Sequence, residues 1–217
     1  MNASEPIKCR RCGTAHAVQT SFDLCPRCLL GNALAMGDEP CPYQVIAPID
    51  EDAGGITYLA QGITRSHRQV ALKIHGWRDD TEQVMSRYQR WKPVLARVRQ
   101  RSASTLLDVG LTADGFLYQA SEYVPGWPLS ALESHSVGMT DRKELARQLT
   151  AALDDAHAAG VVHLKLDTSK VKISTASSPH ATILGLGSGL VVDGLEGSPD
   201  VDRLALTRIL HQLNVSS

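Results

Sequence analysis

At 217 residues, with 43% apolar and 21% charged side chains, the chain has the composition of a soluble globular protein with room for one medium domain and a small appendage. A formal charge of −1 excludes a whole-protein role as a polycation on nucleic acid or membrane. Met1 to Lys8 lacks the apolar core and cleavage pattern of a signal peptide, and the apolar run from Ala181 to Val192 falls short of a bilayer span, so a cytoplasmic protein without a membrane partner is expected.

Four of the five cysteines, Cys9, Cys12, Cys25 and Cys28, form two Cys-x-x-Cys knuckles separated by a twelve-residue spacer. Each knuckle lets two thiolates converge on one ion, and two knuckles complete a tetrahedral four-sulfur shell with no open position for catalysis. A segment this short cannot bury enough surface to fold unaided, whereas structural zinc contributes roughly 10–16 kcal/mol. Structural zinc is therefore expected over residues 1–31. Paired disulfides are the alternative, and they fit poorly with the missing secretion signal. His16 reads as a loop residue or a spare ligand, and Cys41 as a small hydrophobe. With four Lys/Arg against two Asp/Glu, residues 1–31 carry too little charge to indicate nucleic-acid binding. Residues 32–42, with Gly37-Asp38-Glu39-Pro40 and Pro42, read as a linker.

From Tyr43 onward the pattern predicts strands over Tyr43–Ile49, Ile56–Gln61 and Gln69–Ile74. A helix follows from Asp80 to about Arg101, with Val84, Tyr88, Trp91, Leu95 and Val98 along one side and a kink or restart at Pro93. Arg87 to Arg101 holds six basic residues and no acidic one, read as a solvated face or a contact for RNA or an acidic partner. Leu145, Leu149, Leu153 and Ala156 recur at helical spacing in Asp141–Ala159, and Gly160 suits the helix stop.

The order of the motifs resembles bacterial serine/threonine protein kinases from Tyr43 to Leu213. Asp50-Glu51-Asp52-Ala53-Gly54-Gly55-Ile56-Thr57-Tyr58-Leu59-Ala60 is similar to the family's glycine-rich loop, with Asp50 and Asp52 at the first two glycines and Gly55 at the third. Val70-Ala71-Leu72-Lys73-Ile74 resembles the Val-Ala-Ile-Lys strand, so Lys73 matches the phosphate-pairing lysine. Trp91 falls where its glutamate partner belongs, which leaves Lys73 without an obvious one. Phe116 to Val124 resembles the strand and hinge between the lobes, making Gly55, Lys73, Glu122 and Val124 the candidate nucleotide contacts. His163-Leu164-Lys165-Leu166-Asp167-Thr168-Ser169-Lys170 is similar to the catalytic loop His-Arg-Asp-x-x-x-x-Asn, with Lys165 at the catalytic Asp and Lys170 at the metal-binding Asn. In Thr182-Ile183-Leu184-Gly185-Leu186-Gly187, Gly185 stands at the magnesium-binding Asp, and Leu186 keeps an apolar plug. Asp202 matches an aspartate that caps the central C-lobe helix and braces the catalytic loop. The knuckles ahead of the domain also resemble an arrangement in this family.

The resemblance implies an α+β, two-lobe fold: a zinc ribbon (1–31), a linker (32–42), a β-rich N-lobe (43–124) and a helical C-lobe truncated after its central helix (125–217). With base, metal ligands and two loop glycines replaced, it implies a catalytically inactive member, a pseudokinase that is not an enzyme and needs no ATP or magnesium. The expected function is a scaffold or regulatory binding module with a protein partner or a second copy of the chain. The alternatives are a sensor that binds ATP or ADP weakly without phosphoryl transfer, or a decaying kinase gene.

Overall fold

The computed structural model describes residues 7–8, 15–16, 43–62, 68–76, 81–98, 102–112, 115–174 and 178–214. Cys9, Cys12, Cys25, Cys28, Cys41 and the 32–42 linker lie outside them. Strand β1 (Ile7–Lys8) pairs antiparallel with β2 (Ala15–His16). The chain divides into two compact units, the first comprising Met1–Thr81 and Leu107–Ala120, the second Glu82–Leu106 and Ser121–Ser217.

In the first unit β3 (Tyr43–Asp52) and β4 (Gly55–Gly62) form a hairpin closed by Ala53 and Gly54, and β5 (Gln69–His75) pairs antiparallel with β4. The period of two buries Ile56, Tyr58 and Ala60 from β4 and Val70, Leu72 and Ile74 from β5. Tyr118 and Ala120 of β7 (Leu117–Glu122) join the same core, and Tyr43 meets Tyr118 edge to face. Gly55 has φ +146°, and a Cβ there would collide with the carbonyl of Ile74. Only glycine permits so close an approach of β4 to β5.

Strand β6 (Ala103–Leu111) starts in the second unit and ends in the first. The second unit holds helix α1 (Thr81–Leu95) from Glu82 onward. The helix stops at Leu95, short of the expected Arg101, and carries Pro93 in its last turn. Further on come β8 (Trp127–Pro128), α2 (Met139–Ala158), β9 (Val171–Ser174), β10 (His180–Leu186), the short α3 (Ser188–Val191) and α4 (Pro199–Gln212). β10 runs antiparallel to β9 and parallel to the start of β6. Leu145, Leu149, Leu153 and Ala156 form the buried stripe of α2, as their spacing predicts. Gln148 ties that helix to β10, donating to the Pro179 carbonyl and accepting from the Ala181 N–H. On α4, Leu206 and Ile209 are buried while Val201 and Leu204 stay exposed. Among the described residues, no helix is long and apolar enough to cross a membrane.

Candidate functional site

The two units each carry one cluster of the residues singled out by sequence. In the first unit Lys73 projects from β5 toward the hairpin turn. Both carboxylate oxygens of Asp52 accept from its Nζ at 2.6 Å. Asp52 Oδ1 also accepts from the Gly54 N–H at 2.8 Å, which fixes the carboxylate over the turn. A side chain at Gly54 would press on both groups, since a Cβ there would lie 3.2 Å from Asp52 Oδ1 and 3.3 Å from Lys73 Nζ. Lys73, expected to lack a partner, thus has one from the neighbouring β3–β4 hairpin. The sheet register puts Thr57 opposite Lys73 and Asp50 opposite Thr57. Asp50 is solvent-exposed on β3, and Asp52, at the strand end, takes the lysine. The lysine side chain is 18% exposed and the aspartate 45%, so water screens this pair appreciably.

The other two nucleotide candidates, Glu122 and Val124, lie in the second unit. The Glu122 carbonyl accepts from the buried Ser104 hydroxyl at 3.0 Å, and Val124 lies in the irregular chain just past β7.

Lys165, Lys170 and Gly185 belong to the second unit, around a brace centred on Asp202. This carboxylate is fully buried near the start of α4 and accepts from the His163 N–H and the Leu164 N–H, both at 2.7 Å. His157 Nε2 approaches it at 2.9 Å. Three donors on one buried carboxylate satisfy the rule that buried charge must be paired and hydrogen-bonded. The bracing role expected of Asp202 is present. The capping role belongs instead to Ser198, whose hydroxyl accepts from the Asp200 N–H ahead of Pro199 at the first helical position. Leu164 is held at φ +66°, a left-handed conformation costly for a leucine, and Asp202 pins its amide there.

His163 is buried, and its Nε2 lies 2.8 Å from the Leu184 carbonyl. That nitrogen carries the proton, because a carbonyl only accepts, and Nδ1 accepts from the Lys165 N–H at 3.3 Å. Burial lowers the imidazole pKa and outweighs the Leu184 carbonyl and Asp202, which favour the charged form. Lys165 Nζ donates to Asp193 Oδ1 at 2.9 Å, so the cation at the catalytic-base position is itself ion-paired. Asp167, two residues on, caps the 3-10 turn Thr168–Lys170. Burial pushes its carboxyl up, but donation from the Ser169 hydroxyl and the Ser169 and Lys170 N–H groups holds it below the ordinary value. Lys170, half-buried, adds its positive charge near both His163 and Asp167. Gly185 sits at φ +71° in β10, and Leu186 beside it is buried. Among the described residues no group of three or more His, Cys, Asp or Glu is placed to hold a metal ion.

Sequence reasoning did not pair Asp52 with Lys73, Asp193 with Lys165 or Ser104 with Glu122. The first could have been sought in the shortness of the turn. A hairpin closed by Ala53 and Gly54 leaves Asp52 two residue pairs from the row that carries Lys73. No local signal marks the other two, which join residues 28 and 18 positions apart.

No family model matches the chain. Over 167 residues it is 28% identical to the serine/threonine-protein kinase pkn3 of Myxococcus xanthus, a match covering 74% of this chain and 30% of that protein. It is also 28% identical over 163 residues to the serine/threonine-protein kinase PknD of Mycobacterium tuberculosis, covering 74% of this chain and 24% of that protein. The chain thus spans less than a third of the length of these curated relatives. Among solved structures, the kinase domain of Mycobacterium tuberculosis PknI superposes with a TM-score of 0.63 at 23% identity, covering 83% of this chain and 77% of that one. These findings correct the expectation that the chain is not an enzyme, because the relatives bear kinase names and the structural neighbour is a kinase domain. The expectation rested on the substitutions at Lys165, Lys170, Gly185, Asp50 and Asp52 and on the missing glutamate partner of Lys73, taken together. Phosphoryl transfer rests on positioning and electrostatics distributed over a whole site, so replaced groups do not by themselves establish inactivity. The chain has a protein kinase-like fold and is homologous to bacterial serine/threonine protein kinases.

Proposed function

We propose that the chain is a kinase-like regulatory binding module in which a nucleotide phosphate competes with Asp52 for Lys73. The observation that carries this reading is the grip of both Asp52 oxygens on the Lys73 ammonium at 2.6 Å. An ammonium is a compact point charge with three donors, and a phosphate recruits it only by displacing the carboxylate. Nucleotide and hairpin carboxylate are then mutually exclusive partners of one cation. Such a device reports nucleotide through the conformation of the Ala53–Gly54 turn.

The test is calorimetric titration of ATP and ADP, with and without magnesium, into the zinc-loaded full chain and its Lys73→Ala variant. Phosphoryl transfer to a generic protein substrate is followed in the same samples. Saturable binding that Lys73→Ala abolishes supports the reading, and transfer alongside it would make the competition a gate on activity. Binding indifferent to Lys73, or none at millimolar nucleotide, would remove it.

The zinc ribbon belongs to the same proposal. Four cysteines are a soft, fully thiolate donor set suited to a closed structural site.

A further inference from the structure

Helix α4 presents two faces to different surroundings. One buries Asp202, Leu206 and Ile209 in the second unit. The other carries Val201, Leu204 and Arg208, all exposed, at the i, i+3, i+7 spacing of a single stripe. Val201 is 49% exposed and Leu204, one turn on, 57%. A lone apolar side chain in water is ordinary, whereas neighbours at helical spacing mark a contact surface. The patch extends past the start of the helix. A Cβ on Gly197 would lie 3.9 Å from Val201 Cγ2, and Leu195, two residues earlier, is 38% exposed.

The charges on this face follow an order. Glu196 and Asp200 stand exposed at its N-terminal end, and Arg208 stands toward its C-terminal end. Asp200 accepts from Arg203 at 3.0 Å, an exposed pair that contributes little and leaves the carboxylate open to a second cation. Arg208 is exposed and, among the described residues, forms no ion pair. Helix polarity accounts for the acids at the N-terminus. It does not account for two large apolar side chains left in water between acid and base.

An acidic end, an apolar centre and a basic end form a pattern that is its own complement when reversed. A two-fold axis through the Val201–Leu204 turn, perpendicular to α4, lays the apolar pair of one copy on that of another. The same rotation brings Arg208 of each copy to the acidic end of the other. No other partner is specified so closely by the face itself.

We propose that the Val201–Leu204–Arg208 face of α4 docks a second copy of this chain, with the two helices antiparallel in an isologous contact. A helix of 14 residues spans only about 21 Å. Two of them bury less than the ~800 Å² per partner of a standard interface, so the dimer is weak and reversible, with a Kd on the order of 100 µM. The surface shares no residue with the Lys73 cluster, so the nucleotide reading and this one stand or fall separately.

The test is sedimentation equilibrium of the zinc-loaded full chain from about 10 µM to about 1 mM, with circular dichroism to confirm that each variant is folded. Wild type should dimerise across this range, and Leu204→Glu should stay monomeric. Arg208→Glu leaves the stripe all acidic, and the double variant Glu196→Lys, Asp200→Lys leaves it all basic. Each should self-associate at least about tenfold more weakly than wild type, because like charges then meet at both ends. Mixed in equal amounts, the two should pair with each other at least as tightly as wild type does with itself. A wild-type chain still monomeric at about 1 mM would leave the face to a different partner and overturn the proposal. Dimers that survive Leu204→Glu would also overturn it, since they would lie on another surface. So would a mixture no more associated than its components, which excludes the antiparallel arrangement.

Discussion

The replacement Asp52→Asn isolates the competition at Lys73, because it keeps the shape of the side chain and removes its charge. Two terms change. The ion pair lost from the free protein is partly exposed, with 18% of the lysine and 45% of the aspartate side chain in contact with water. Pairs of this kind contribute at most about 1 kcal/mol despite their short distance. The second term is repulsion between the carboxylate and a phosphate brought to the same ammonium. At ~4 Å this is about 1 kcal/mol in the high-dielectric limit and about 4 kcal/mol at an effective dielectric of 20. The exposure of Asp52 favours the lower figure, so the two terms sum to about 2 kcal/mol, or roughly a thirtyfold gain in ATP affinity. Isothermal calorimetry of wild type, Asp52→Asn and Lys73→Ala measures it directly. The gain should shrink as salt rises, because both terms are partly screened. Equal or weaker ATP binding by Asp52→Asn would refute the competition. A gain that persists in the Asp52→Asn, Lys73→Ala double variant would show that Asp52 acts other than through the lysine.

His163 is held neutral by burial, with its folded pKa below the unfolded value of about 6.5, so the unfolded chain binds more protons in that window. Stability should therefore fall as pH drops below about 6.5 toward the folded pKa, and His163→Gln should flatten that slope in denaturant titrations at several pH values. Asp202→Asn leaves at least one of three donors facing an amide N–H₂ in a buried site, which should cost about 3 kcal/mol and lower Tm by about 10 °C in a thermal melt. For the cysteines, elemental analysis should find one zinc per chain, lost on Cys9→Ser or Cys25→Ser with the rest of the fold retained by circular dichroism.

The strands of the first unit were legible because alternation is a local signal: Ile56, Tyr58 and Ala60 against Val70, Leu72 and Ile74 announce a two-sided sheet without knowledge of the partner. The buried stripe of α2 was legible for the same reason at period 3.6. The end of α1 was not. A basic, weakly apolar continuation to Arg101 carries helical propensity, yet past Leu95 the bonds tighten to three-residue turns, Arg97 N–H to the Val94 carbonyl and Val98 N–H to the Leu95 carbonyl, which close the helix. The charge pairing of the candidate residues was illegible. The motif order singled out Lys73, Lys165 and Asp202, but which acid each cation meets depends on a turn closing at Ala53–Gly54 and on the return of the chain at Asp193. Spacing along the sequence carries neither.

The two clusters differ in how readily a ligand can rearrange them. The Asp202 brace is fully buried, joins residues about forty positions apart and holds Leu164 in a left-handed conformation, so opening it exposes a charge and two backbone donors at once. Breaking such a buried charged network costs about 3–5 kcal/mol. The Asp52–Lys73 contact is half-exposed and closes over a two-residue turn, and opening it costs about 1 kcal/mol or less. A ligand shifts an equilibrium only by its differential affinity for the two states, and a micromolar ligand has about 8 kcal/mol in total from which that difference must come. The hairpin contact is within easy reach of such a ligand, whereas the brace would absorb half of what it has. Any conformational response to nucleotide at Lys73 is therefore carried by the hairpin turn, and the brace acts as the fixed support of the loop it holds.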